Sequence, residues 1–131
     1  MKEVRSLHAL VARDLPTTDV AHAVQLAELL RLRGFHVHEA ESAEDAWKLA
    51  CRHTIDVLLA QLGGLESRNL ELIRRARRAL APQPGLVAIV GTHELERAAR
   101  TAGAHVTLRS TLSGELVADT AARLVAPSSL R

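Results

Sequence analysis

The sequence predicts an α/β domain of (βα)5 type, a doubly wound parallel sheet of five strands covered by helices. Three observations predict it. Short apolar runs and stretches with helical periodicity alternate five times along the 131 residues. The strongest apolar runs are continuous, as strands covered on both faces require. The connections between segments are short, which places successive elements side by side.

Each element has its own signal. Leu7 to Ala12 is an apolar run closed by Arg13-Asp14-Leu15-Pro16, a strand followed by a turn. Thr17, Thr18 and Asp19 are candidate caps for a first helix. In it Val20, Val24, Ala27 and Leu30 recur at helical spacing, with Leu26, Leu29 and Leu32 widening the stripe. Gly34 stops it. Phe35 to Ala40 alternates and predicts a second strand. Ser42 with Asp45 resembles a capping box, and the second helix is expected from Ala43 to about His53.

Ile55 to Leu62 is the most apolar strand, and Gly63-Gly64 is expected to let the chain turn steeply out of it. The third helix is expected over Ser67 to Leu80, where Pro82 and Pro84 forbid continuation. Leu86 to Val90 is the fourth strand, His93 to Ala102 a short helix closed by Gly103, and His105 to Arg109 the fifth strand. Ser113 caps a last helix to about Val125, with Pro127-Ser128-Ser129 as a tail. The expected organisation is one domain over 1–131, its core about 7–125 and its tail 126–131, with no output domain attached.

Composition narrows the function. Hydrophobic residues make up 47% and charged residues 24%, a globular balance. Aromatics are only 2%, so the core is aliphatic and base-stacking platforms are not expected. A net charge of +2 does not by itself imply a nucleic-acid partner. The single Cys51 excludes an internal disulfide and reads as a small hydrophobe. Met1-Lys2-Glu3-Val4-Arg5 lacks the apolar region of a signal peptide, and no run approaches the roughly 18 apolar residues that span a bilayer. A cytoplasmic domain without membrane contact is expected.

In order and spacing these segments resemble the receiver domain of two-component response regulators, over about Leu7 to Val125. Ile55-Asp56-Val57-Leu58-Leu59-Ala60-Gln61 resembles the third receiver strand, an Asp followed by an apolar run that ends in the phosphoacceptor Asp. Leu70-Glu71-Leu72-Ile73-Arg74 fits the start of the third helix without a gap, and Gly103-Ala104-His105-Val106-Thr107-Leu108 resembles the turn into the fifth strand. The resemblance implies the flavodoxin-like strand order 2-1-3-4-5.

It also implies a phosphorylation pocket, and here the chain departs from the pattern. An active receiver uses a nucleophilic carboxylate, two acids that hold Mg²⁺, a hydroxyl on the fourth strand and a Lys on the fifth. The carboxylate position is Gln61, and an amide does not form an acyl phosphate by the ordinary route. The acidic pair is Arg13-Asp14, and a permanent guanidinium repels the ion. Arg13 is expected to pair with Asp14 in the metal's place. Gly91, followed by Thr92, takes the hydroxyl position, and Ser110, followed by Thr111 instead of Pro, takes the Lys position. Arg109 is adjacent, but a one-residue slip points it to the other face. The expectation is a degenerate pseudo-receiver, neither phosphorylated nor an enzyme, with no cofactor.

By the same resemblance its partner is a protein, a histidine kinase or another regulator, or a second copy in a homodimer. The partner face would carry His93, Arg97, Arg100, Thr107 and Arg109. The interval from Gly91 to Gly103 is shorter than in typical receivers, which implies a trimmed fourth helix or loop. Two alternatives are an anion or small molecule held near Arg13, Gln61, Gly63, Thr92 and Ser110, and nucleic acid held by Arg74-Arg75-Ala76-Arg77-Arg78. Those arginines spread around a helix, with Glu71 expected to pair with Arg75, so the run reads first as a solvated face. Trp47 is expected to be a packing anchor.

Of the seven histidines, His36 and His38 share one face of the second strand. A metal pair is conceivable, but sequence places no third ligand nearby, so no metal site is expected. Ser110, Thr111 and Ser113 have no His–Asp partners for a hydrolase triad.

Overall fold

The computed structural model describes the backbone of residues 6–14 and 20–129, and side chains over 6–14 and 23–125. The elements are β1 (Leu7–Ala12), α1 (Val20–Leu32), β2 (Phe35–Ala40), α2 (Ala43–Arg52), β3 (Val57–Gln61), α3 (Arg68–Ala79), β4 (Gly85–Val90), α4 (His93–Ala102), β5 (Val106–Arg109) and α5 (Gly114–Ser129). The strands form one five-stranded sheet in the order β2-β1-β3-β4-β5, every pairing parallel. That is the order the resemblance implied.

The alternation of strand side chains divides the core in two. Leu10, Ala12, Leu58, Ala60, Leu86 and Ala88 pack against Ala46 and Ala50 of α2, Ile73 and Ala76 of α3, and Leu95 and Ala99 of α4. On the other face Ala9, Val11, Val57, Leu59, Val87 and Ile89 pack against Leu26 and Leu30 of α1 and Val117, Ala118 and Ala121 of α5. Each central strand therefore buries both faces, which explains the continuous apolar runs. Alanine is frequent at these contacts, so helices approach the sheet closely without aromatic filler.

The caps follow local chemistry. Ser42 Oγ accepts from Asp45 N–H (3.1 Å) and Ser113 Oγ from Leu116 N–H (3.2 Å). Gly34 and Gly103 end their helices with φ of +93° and +123°, conformations that suit glycine. Gly63-Gly64 does not use that freedom, since among the described residues positive φ occurs only at Gly34 and Gly103. The last helix outruns expectation: it continues through Pro127 to Ser129, although proline offers no N–H to the helix there. Thr17, Thr18 and Asp19 lie outside the described residues.

Candidate functional site

The carboxyl ends of the strands carry a cavity of about 570 Å³ between the β3–α3 connection and the start of α4. Asp14, Gly63, Glu66, Ser67, Thr92 and Glu94 line it. Three of these are carboxylates, and among the described residues no Lys or Arg joins them. An anion gains nothing there, which counts against the anion-binding alternative.

Of the residues expected to share this pocket, Asp14 and Thr92 line it, while Arg13, Gln61, Gly91 and Ser110 do not. Asp14 reaches across the sheet end, its Oδ2 accepting from Gly63 N–H at 2.7 Å. Arg13 does not pair with Asp14. Its Nη2 donates to Glu39 Oε1 at 3.0 Å, and Arg31 donates to the other oxygen of Glu39 at 3.1 Å. The parallel register explains this: Val11 lies opposite Glu39 on the neighbouring strand, within reach of the Arg13 side chain. Thr92 spends its hydroxyl as the cap of α4, accepting from Leu95 N–H at 3.1 Å. The connection from β4 to α4 is thus only Gly91-Thr92, and α4 has ten residues.

Gln61 lies on the strand positions that face α1 and α5, two residues beyond Leu59. It is 4% exposed, and its Oε1 is buried without a hydrogen-bond partner. Beside it lies Asn69, a residue sequence reasoning missed. Asn69 is 1% exposed, in the first turn of α3, where Ser67 Oγ accepts from its N–H at 3.1 Å. Its Nδ2 donates to the carbonyls of Gln61 (2.8 Å), Arg13 (3.2 Å) and Ala12 (3.3 Å). Two N–H groups serve three acceptors, so one is shared. This amide ties the end of β1 to the end of β3 beneath the cavity. The only local signal was a polar residue just inside a Ser cap.

The expected partner face is organised by Glu96, which was also missed. Its carboxylate accepts from the Thr107 hydroxyl (3.0 Å) and Arg100 (3.4 Å), and it contacts His93 (3.3 Å) and Arg109 (3.9 Å). The Thr107 hydrogen bond, then His93 and the two arginines, hold it below the usual carboxylate range. Arg97 is exposed on the same helix. Spacing alone finds His93, Glu96 and Arg100 on one helix face; β5 supplies the rest. Ser110 continues beside the end of β4, its N–H bonded to Val90 O at 2.8 Å.

The arginine run is drawn apart by separate contacts. Arg74, not Arg75, pairs with Glu71 (3.1 Å). Arg75 lies over the Trp47 ring, 4.3 Å from its centroid, while Trp47 packs partly buried against the core. Arg77 bonds Gln83 at 3.3 Å and abuts His105. Arg75 escapes Glu71 because α2 brings an aromatic face to it.

At the opposite end of the sheet the fold brings to His36 and His38 a third imidazole that sequence did not place there. His8 Nδ1 and His38 Nε2 lie 3.0 Å apart, and His53 stacks on His38 at 4.3 Å between centroids. The sequence separations of 30 and 15 residues hid this. Burial, then the neighbouring His53, His36 and His8, push His38 down to about 4. His105 is also lowered, by burial and then by Arg77; Leu86 N–H donates to its Nδ1 at 2.9 Å.

These two shifts have one sign for stability. Below the ordinary histidine value the unfolded chain takes up protons that the folded rings refuse. Stability is therefore full above about pH 6.5 and falls as pH drops, the His38 part down to about pH 4. Thermal melts at about pH 7.5 and about pH 5 are expected to show a lower midpoint in acid. A His38→Gln, His105→Gln double variant is expected to lose part of that drop. An equal drop in both proteins would refute the assignment.

No family model matches the chain, and no curated protein matches it either. Many solved structures do. A response regulator from Chloroflexus aurantiacus superposes with a TM-score of 0.79 at 21% identity, covering 93% of this chain and 99% of that one. A CheY-like receiver domain protein from Methanospirillum hungatei gives 0.77 at 16%, covering 97% and 100%. An orphan response regulator of H. pylori gives 0.76 at 16%, covering 92% and 97%. No helix among the described residues is long and apolar enough to cross a membrane. With its strand order, the five helices among its described residues and these likenesses, the chain has the CheY-like fold of response-regulator receiver domains.

Proposed function

We propose that this domain is a pseudo-receiver: a cytoplasmic signalling module that accepts no phosphoryl group, is not an enzyme, and acts by binding a protein. The observation that carries this reading is Gln61, an amide at the phosphoacceptor position, buried and turned to the side of α1 and α5. It is supported by Arg13, which is committed to Glu39, and by Ser110 in place of a Lys. The CheY-like fold supports a protein partner in signalling, either a kinase, a regulator or a second copy. The α4–β5 surface supplies a preorganised polar face for it, with Glu96 holding Arg100 and Thr107 in place. The dispersal of Arg74, Arg75 and Arg77 into separate contacts weakens the nucleic-acid alternative.

The test is incubation with acetyl phosphate and Mg²⁺. No stable incorporation by intact mass is expected. Stoichiometric phosphate that disappears in an Asp14→Asn variant would overturn the reading.

A further inference from the structure

The four clustered histidines serve neither the cavity nor the α4–β5 face, and they sit at the amino ends of the strands. β1 and β2 pair in parallel with His8 opposite His36 and Leu10 opposite His38. Leu10 and Ala40 belong to the α2-side core, so strand alternation puts His8, His36 and His38 on that same side. Ring centroids are 4.9 Å apart for His8 and His36, 5.0 Å for His36 and His38, and 5.2 Å for His8 and His38. The result is a nearly equilateral triangle of imidazoles. One nitrogen from each can be chosen so that all three lie within 4.8 Å of one another. Among the described residues this is the one group of three His, Cys, Asp or Glu side chains so placed.

We propose that His8, His36 and His38 bind a divalent late first-row transition ion of the zinc class, with water in the fourth position. Tetrahedral Zn²⁺ with Zn–N of about 2.05 Å needs nitrogens about 3.3 Å apart. The His8–His38 pair is at 3.0 Å already, and the chosen nitrogens of all three lie within 4.8 Å. An all-imidazole donor set suits zinc, copper or nickel and disfavours magnesium or calcium, which take oxygen ligands. The backbone is prepared for it. Asp56 Oδ2 accepts from His8 N–H at 2.7 Å and Asp56 N–H donates to His8 O at 2.8 Å, fixing the strand that carries the first ligand. His53, at the end of α2, stacks on His38 at 4.3 Å between centroids and backs that ligand. The ion would act as a staple on the outer strand.

The experiment uses the full 131-residue chain stripped with chelator, in parent and Cys51→Ser forms because Cys51 is an exposed thiol on the same helix. Calorimetric titration with ZnCl₂ is expected to show one ion per chain with a Kd of about 10 µM or tighter, and MgCl₂ none. Zn²⁺ is expected to raise the melting midpoint, and Co²⁺ to give the strong visible absorption of a tetrahedral nitrogen site. His36 is exposed on an edge strand, so His36→Ala is expected to fold normally and to weaken Zn²⁺ binding at least tenfold. His38→Gln is expected to do the same, and Arg52→Ala, an exposed α2 residue outside the cluster, to leave Zn²⁺ affinity unchanged. Binding weaker than about 1 mM, binding untouched by His36→Ala, or binding lost in Cys51→Ser alone would each overturn the site.

Discussion

Replacing Asn69 by Leu is expected to destabilise the domain by about 3 kcal/mol, although the side chain is neither large nor apolar. Asn69 is 1% exposed and gives its amide to the carbonyls of Ala12, Arg13 and Gln61. Leu fills the space and leaves three acceptors without that donor, each worth roughly 1 kcal/mol or more when buried. At a urea m-value of about 2 kcal/mol per molar, the unfolding midpoint falls by about 1.5 M. Asn69→Asp separates hydrogen bonding from volume. It keeps the shape but sets a carboxylate against three carbonyl oxygens, so at neutral pH it is expected to be at least as damaging as Leu. Protonation restores one donor. Relative to Asn69→Leu, the Asp variant therefore gains stability as pH falls through its raised value. A Leu variant within about 0.5 kcal/mol of the parent would show that this buried donor contributes nothing net.

Gln61→Asp is expected to give a less stable domain that still takes up no phosphate. The position is 4% exposed on the strand face toward α1 and α5, and a carboxylate there loses hydration. A rise of about 2 pKa units corresponds to about 3 kcal/mol lost at neutral pH. The loss is absent below the unfolded value near 4 and develops as pH rises through the folded value. Denaturation at neutral and mildly acidic pH, set against the parent, checks this. The new carboxylate would still lack a second acid at Arg13 and a Lys at Ser110. Stable incorporation from acetyl phosphate into this single variant would show that Arg13 and Ser110 do not hold the site inactive.

The five strand–helix units were legible because each central strand is a short run buried on both faces and each helix opens on a cap or closes on a glycine. Ser42, Ser113, Gly34 and Gly103 act as local chemistry predicts. Helix ends were less legible: α5 runs through Pro127, where sequence placed a tail. The site was read in part. Gln61 ends β3 and Ser110 follows β5, yet the contacts of Arg13 and Arg75 were misassigned. Glu39 and Trp47 won over the sequence neighbours Asp14 and Glu71 by proximity in the fold, while Thr92 caps α4 locally.

What the sequence determined by itself is therefore the architecture and the residue types at each strand end, since periodicity, caps and apolar runs are local properties. Only the tertiary structure decided which side chains meet. Asn69 reaches carbonyls 56 and 57 residues earlier in the chain, and Thr107 and Arg109 reach Glu96 across the junction of β5 and α4. His8 joins His36 and His38 only because β1 and β2 pair in parallel and in that register. Register is set by the burial of whole strand faces, a collective property of the sheet, so no short window of sequence contains it.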